Sequence, residues 1–399
     1  MTASSPALAP ADLAPQLART RSVVAVALLF ALNGLVIGGY GGSLPSIRER
    51  LGIAAGGIAG LLFTAGLAGI VAMQAAGRLS DAVGARRVAL AGLPLLVAAA
   101  VTFALSTSYP PAVVAAVLLG LGNGTIDVAM NAIGVQVEAA CRQPVMSRFH
   151  ALWSLGGFAG AGTVVLAAVL LDLRGAAVVL PVLLFFAVVA ALGFVVALRI
   201  TPATAVVQHH HDGTRTRIPR VAWLLAVMAV AFGLAEGTGV DWSSLHVTEV
   251  ASVDSTTGAL GLVAVQGSMV VIRLLGDGFV TRFGRRAVVR FGGACAAVGY
   301  AGVTLVDGLP LLLVGWALVG LGVGMIAPQV YAVAGHLGGG RVLAVVVTFG
   351  YAAFLAGPAL IGFLVNHLGI HHTMAVPALL GAGIVALAVT MPKSDTDLR

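Results

Sequence analysis

Charge is scarce in this sequence. Asp, Glu, Lys and Arg together make up 9% of its 399 residues, and aromatic residues make up 6%. A soluble chain of this length needs a far more polar surface, so a water-soluble globular protein is excluded. Cysteine is scarce too. Cys141 and Cys295 lie far apart, each at or inside an apolar stretch, which leaves no disulfide and no metal cluster to read. No nucleotide-binding Gly-rich loop, no Gly-x-Ser-x-Gly elbow and no His-Glu-x-x-His pair occurs. We therefore expect no enzyme, no cofactor and no ATP-driven machine. Segments of about ten alternating polar and apolar residues are missing as well, which argues against a membrane β-barrel.

What fills the chain is apolar sequence. It is 59% hydrophobic, with a mean hydropathy of +1.04. Apolar stretches of about 20 residues recur along the whole length, enough to cross about 30 Å of hydrocarbon. Twelve can be counted, with approximate bounds 22–40, 54–76, 88–105, 109–139, 148–171, 176–198, 221–245, 257–280, 287–305, 309–336 and 342–366, and the last ending near 391. Backbone groups in lipid must be satisfied within each segment, so these spans are helices. The expected class is an all-α membrane protein. The 53 glycines fit that class, because small residues let helices approach closely in lipid.

The chain also repeats itself. Gly77, Asp81, Gly84, Arg86 and Arg87 form a short basic loop between spans 2 and 3. Asp277, Arg282, Gly284, Arg285 and Arg286 form its counterpart, with Gly284 two hundred residues after Gly84. At the same offset Gly120 and Gly124 return as Gly320 and Gly324, and Phe149 and Gly157 as Phe349 and Gly357. One six-helix unit occurs twice, a pattern typical of secondary transporters. The expected division is a tail 1–21, a bundle 22–198, a linker 199–220, a second bundle 221–391 and a tail 392–399. The linker holds His209, His210, His211 and Asp212, but neighbours in a solvated loop lack the geometry of a metal site.

The net charge is +7, and it is dispersed among loops, so nucleic acid is not an expected partner. Eighteen of the 22 basic residues fall on one side of the twelve spans, three on the other (Arg48, Arg50, Arg174), and Arg273 falls inside a span. That bias puts both termini in the cytoplasm. No basic n-region precedes the first span, which we expect to remain as an anchor.

At the two basic loops the chain resembles the major facilitator superfamily, and the six-plus-six repeat extends the resemblance over essentially all of it. Shorter stretches are similar to a bacterial branch called YbjJ-like, related to sugar and fucose permeases. They are Asn123–Asn131, Met146–Gly157, Glu236–Trp242 and Arg273–Asp277. The resemblance implies two bundles that rock around a central cavity lined mainly by spans 1, 4, 7 and 10, in the inner membrane of a bacterium. It further implies a latch of charges at the cytoplasmic gate, closed in the outward-facing state. Two features of the superfamily's drug–proton antiporters are missing. Span 4 has no arginine before its Gly-x-Gly, and the Gly-Pro pair stands in span 11 as Gly357-Pro358, not in span 5.

Candidate cavity residues follow. Asn123, Asp127 and Asn131 are four apart and make one polar stripe on span 4. Such a stripe is costly against lipid, so it faces protein or water. Glu236 stands mid-way along span 7 with no basic residue within two turns. It reads as an unpaired carboxyl able to exchange a proton. Otherwise it is a neutral group bonded to span 1, where Asn33 lies. Asp241 and Trp242 sit nearer the outer mouth, as a lid or an interfacial anchor. Gln329 belongs to span 10. Arg273 and Asp277 are four apart on span 8 and read as a structural ion pair bracing the inner gate. Gly77, Asp81, Gly84, Arg86 and Arg87, with Gly284, Arg285 and Arg286, complete that gate. His150 and Ser154 share a face of span 5, where a lone His is usually structural. Trp153, Tyr351 and Phe354 read as packing. The expected function is transport of a small organic solute by a monomer in the bilayer, driven by protons through Glu236 or Asp127. An exporter of drugs or metabolites and a non-transporting solute sensor are the rivals.

Overall fold

The computed structural model describes the backbone of residues 10–141, 145–203 and 218–391, and most of the side chains from residue 19 onward. The expected linker falls largely outside these residues, including its three histidines. Among the described residues there is no strand. The first half contains α1 (Pro10–Leu51), α2 (Ala55–Val83), α3 (Ala85–Leu105), α4 (Tyr109–Cys141), α5 (Met146–Leu170) and α6 (Val179–Ile200). The second contains α7 (Arg220–Val250), a turn of helix α8 (Ser255–Gly258), α9 (Leu260–Phe283), α10 (Arg285–Val303), α11 (Leu309–Val323), α12 (Ile326–Thr373) and α13 (Ala375–Leu387). Among the described residues ten helical segments are long and apolar enough to cross a membrane. The remaining two expected spans correspond to α10, which carries Arg285, Arg286 and Arg290, and to the shorter apolar segment Ala375–Thr390.

The two halves pack alike. In the first, α1 lies on α5, α2 on α4, and α3 on α4 and α6. In the second, α7 lies on α12, α9 on α11, and α10 on α11 and α13. The repeated glycines explain how. Gly84 and Gly284 have φ of 88° and 79°, a region in which a side chain is strained. Each ends one helix and starts the next without an intervening loop, so the two basic turns are tighter than the sequence suggests. Gly120 and Gly320 serve close approach. A Cβ there would lie 2.0 Å from the Ala65 carbonyl oxygen and 2.1 Å from that of Val265.

Two boundaries differ from expectation. The segment 43–50 is not a loop. α1 stays helical to Leu51, with Ser43, Leu44, Ser46 and Ile47 buried. Its polar residues find partners within the protein, Ser43 on the Gly39 carbonyl, Arg50 on that of Ser106, and Ser46, Arg48 and Glu49 on the second half, which is why they read as a loop. Span 10 is interrupted at Gly324 and Met325, between α11 and α12. The backbone then stays helical through 337–341, where a loop is expected, and the apolar segments Leu309–Gly335 and Val345–Thr373 are the two spans.

The halves meet through α1 with α7, α5 with α9, and α2 with α12. Where both partners are described, the hydrogen bonds and ion pairs joining them run from mid-depth to the face remote from the basic turns. On that far face Arg48 pairs with Glu249. Ser255 donates to Glu49 at 2.8 Å, and Ser46 to Ser255 at 3.3 Å.

Candidate functional site

A polar layer crosses the molecule at mid-depth. Its members on α1, α4, α5, α7 and α9 each lie about 20–27 Å from the far-face end of their helix, at about 1.5 Å per residue. In the first half Asn33 is the hub. Its Nδ2 donates to Asn123 Oδ1 at 2.9 Å, and its Oδ1 accepts from Trp153 Nε1 at 2.7 Å. Trp153 is therefore more than packing, since it fixes the orientation of the Asn33 amide. With both ends of that amide engaged, Asn123 presents its own NH2 group.

Two turns further along α4, Asn131 donates to the Asp127 backbone oxygen at 2.8 Å and lies 3.4 Å from Asp127 Oδ1. Within the stripe read from the sequence the third member thus serves the second. Tyr351 of α12, in the other half, lies within interaction range of the Asp127 carboxyl. Tyr331, also on α12, lies within electrostatic range of both Asp127 and Glu236. No cation is paired with Asp127 among the described residues.

Glu236 is different, and here the sequence reading is corrected. Its Oε1 accepts from Arg273 Nη2 at 3.0 Å, with both side chains 10% exposed. The counter-charge stands 37 residues away on the neighbouring helix, where a search along one helix could not find it. Arg273 likewise is not a rim residue. It also donates from Nε to the Gly324 carbonyl at 3.3 Å, and from Nη1 to the Ser154 hydroxyl in the first half. The side chain of Asp277, its expected partner, lies outside those described. His150 packs edge-on against Phe30 and sits within electrostatic range of Arg273.

Other expected members lie elsewhere. Gln329 accepts from Arg285 Nη1 at 2.7 Å, so it belongs with the basic turn and not with the mid-depth layer. Trp242 is fully buried, close to Gly362 of α12. Its full burial within the protein rules out an interfacial anchor. Asp241 lies within electrostatic range of Tyr40 of α1 and Tyr300 of α10. Arg86 donates to the carbonyls of Thr201 and Leu198, each at 2.8 Å, and Arg286 to that of Met391. These two arginines hold the C-terminal end of the last helix of their own half. Asp81 is exposed and makes no hydrogen bond or ion pair with a described residue. The latch implied by the resemblance is not formed by Asp81 with Arg86.

A twelve-helix repeat with a polar layer shared between its halves invites comparison with known proteins. The Major Facilitator Superfamily profile matches residues 26–338. The chain belongs to the major facilitator superfamily. It is 31% identical over 371 residues to the uncharacterized transporter y4wD of Sinorhizobium fredii, covering 91% of this chain and 96% of that protein. It is 30% identical over 380 residues to an uncharacterized MFS-type transporter of Yersinia pestis, covering 92% and 94%. Among solved structures it resembles a variant of the nucleoside transporter NupG, with a TM-score of 0.72 at 13% identity, over 92% of this chain and 98% of that one. It also resembles the human organic anion transporter MFSD10, with a TM-score of 0.63 at 16% identity, over 93% and 99%. The chain is a multi-pass membrane transporter of this superfamily. At these identities the solved structures speak for the fold and not for the solute.

Proposed function

We propose that the protein carries a small organic solute across the inner membrane of a bacterium by alternating access, with a proton as the coupling ion and Asp127 as its carrier. Both termini are cytoplasmic in this reading, so the far face is external, and it is the face held closed by the ion pair and hydrogen bonds between the halves. One observation carries the choice of carrier. Two acidic groups stand in the mid-depth layer, and among the described residues only Glu236 has a cation, at 3.0 Å. A carboxylate held by a guanidinium keeps its charge through a cycle. A carboxyl faced by a tyrosine hydroxyl and an asparagine amide can pass between its charged and neutral forms as it meets water and solute. Asn123, one turn before Asp127 on α4, and Tyr331, within electrostatic range of it, serve in this reading as neutral hydrogen-bonding groups for the solute.

The test begins with a thermal-shift screen over sugars, organic acids and antibiotics. The best hit is then followed as a radiolabelled solute in proteoliposomes. Asp127→Asn should lose accumulation driven by a pH gradient while keeping solute exchange down a solute gradient. Unchanged pH-driven accumulation in Asp127→Asn would remove the carrier role. Binding with no flux in the native protein would make it a sensor.

A further inference from the structure

The interruption between α11 and α12 has a local cause. In an α-helix the N–H of residue 328 would bond the carbonyl of residue 324. Residue 328 is Pro, which has no N–H and whose ring crowds that same carbonyl. The Gly324 oxygen is thus left without its helical donor, at mid-depth in apolar surroundings, where an unmade hydrogen bond is expensive. Arg273 Nε fills the place at 3.3 Å. The same guanidinium holds Glu236 of α7 through Nη2 and Ser154 of α5 through Nη1. Its planar fork can meet three acceptors in three directions, which a lysine ammonium on a flexible stem does not do. Two of those acceptors belong to its own half. The third, Ser154, is fully buried and belongs to the other. Beside this junction α5 and α9 are in tight contact, with Gly157 of α5 against the Gln266 side chain of α9.

We propose that Arg273 is a positioning residue that ties the proline joint of span 10 to the opposing half, and that release of its bond to Ser154 is the step by which the halves part at mid-depth. This rests on the alternating-access reading above. Glu236 keeps the guanidinium charge-compensated throughout. Gly324 fixes the plane of the fork. Ser154 is a neutral acceptor and the one of the three on the opposing half, so its bond is weaker than the ion pair to Glu236 and is the one that can break and re-form as the halves part. The arrangement is therefore rigid within the second half and separable between the halves.

The test needs no solute. In full-length protein carrying Cys141→Ser and Cys295→Ser, spin labels are placed at Ser108→Cys and Gly308→Cys, two far-face positions two hundred residues apart. Pulsed electron resonance in lipid nanodiscs then reports the separation of the far-face ends. The native protein should show a short and a long population. A single population under every condition would sink the alternating-access reading, and this proposal with it. Given two populations, Ser154→Ala should raise the ratio of long to short about threefold or more, the effect of losing one hydrogen bond made in only one state. Arg273→Lys should move the ratio the same way, and the double variant should move it no further than Arg273→Lys alone. An unchanged ratio in Ser154→Ala overturns the proposal, even if Arg273→Lys unfolds the protein. A thermal midpoint tests the joint separately. Pro328→Ala returns a donor to Gly324, so Arg273→Lys should cost less stability in that background. An equal cost with and without Pro328 would show that the guanidinium does not serve the freed carbonyl.

Discussion

Neutralising Glu236 strands a guanidinium where little water reaches it. Breaking a buried pair from one side costs about 3–5 kcal/mol, because the remaining charge has no compensation. Glu236→Gln is therefore expected to lower the thermal midpoint sharply. Asp127→Asn, which strands nothing, should lower it little. Glu236→Gln with Arg273→Gln should recover much of the loss, and heating each variant in detergent while following monodisperse protein by size exclusion reads all three. Asp254 offers a second residue-scale expectation. It caps α8, accepting from the backbone N–H groups of Thr256 and Thr257 at 3.0 Å each. Partial burial pushes its carboxyl up, but these bonds and those of the two threonine hydroxyls outweigh it and bring it down to about 2. A depressed carboxyl contributes stability that is complete above its unfolded value and fades as pH falls through the folded one. The cost of Asp254→Ala, about 1 kcal/mol for a lost cap, should thus stay constant across the neutral range, and Asp254→Asn should cost less. At this scale the sequence was legible in part. Asn33, Asn123, Asp127, Glu236 and Arg273 stood out because polar groups are rare in these spans. Their pairing did not, because Glu236 and Arg273 meet only when two helices pack. Tyr331 had a signal that went unused, since it stands two hundred residues after Asn131.

Between helices, the repeated glycines divide into those that must be small and those that need not be. A Cβ at Gly320 would stand 2.1 Å from a backbone oxygen of α9 and 2.2 Å from the Ser268 hydroxyl, so α11 would have to move away. Gly320→Ala should cost about 1–3 kcal/mol by overpacking, and Gly120→Ala should match it because the same contact recurs in the first half. Gly77 belongs to the family's loop signature, yet nothing lies within 4 Å of its Cβ position. It sits inside α2, where glycine is less favourable than alanine by about 0.5–1 kcal/mol. Gly77→Ala should therefore leave the thermal midpoint level or raise it, and a drop as large as that of Gly320→Ala would refute this division. The spans and their repeat were legible because length and apolarity alone define them in lipid. Helix ends were less so. The run from Ser43 to Arg50 reads as a loop by polarity, but its hydroxyls are spent within the protein, Ser43 on the Gly39 carbonyl and Ser46 on Ser255. The break at Gly324 was available from Pro328, a proline four residues beyond a glycine inside an apolar span.

At the scale of the whole molecule, which face is closed is a property that composition cannot carry, because the same chain must build both states. The far face is closed by residues that the repeat places in register. Glu249 stands two hundred residues after Glu49, at the end of α7 as Glu49 is at the end of α1. Arg48 pairs across to Glu249, while Glu49 accepts from Ser255. The Arg48 and Glu249 side chains are 30% and 33% exposed, so their pair is worth at most about 1 kcal/mol. That is a suitable strength for a latch. It biases a two-state equilibrium by a few-fold without locking it. Glu249→Arg should therefore raise the population with separated far-face ends by a few-fold, read by the same label pair at positions 108 and 308. Arg48→Glu should act in the same direction. Combining the two restores opposite charges in reversed order and should bring the ratio back toward the native value. Because the pair meets solvent, its bias should also shrink as salt rises, with screening over about 8–10 Å near physiological ionic strength. A shift in Glu249→Arg that persists undiminished at high salt, or that the reversed pair does not repair, would mean that packing among α1, α7 and α8 closes this face and that the charges merely accompany it.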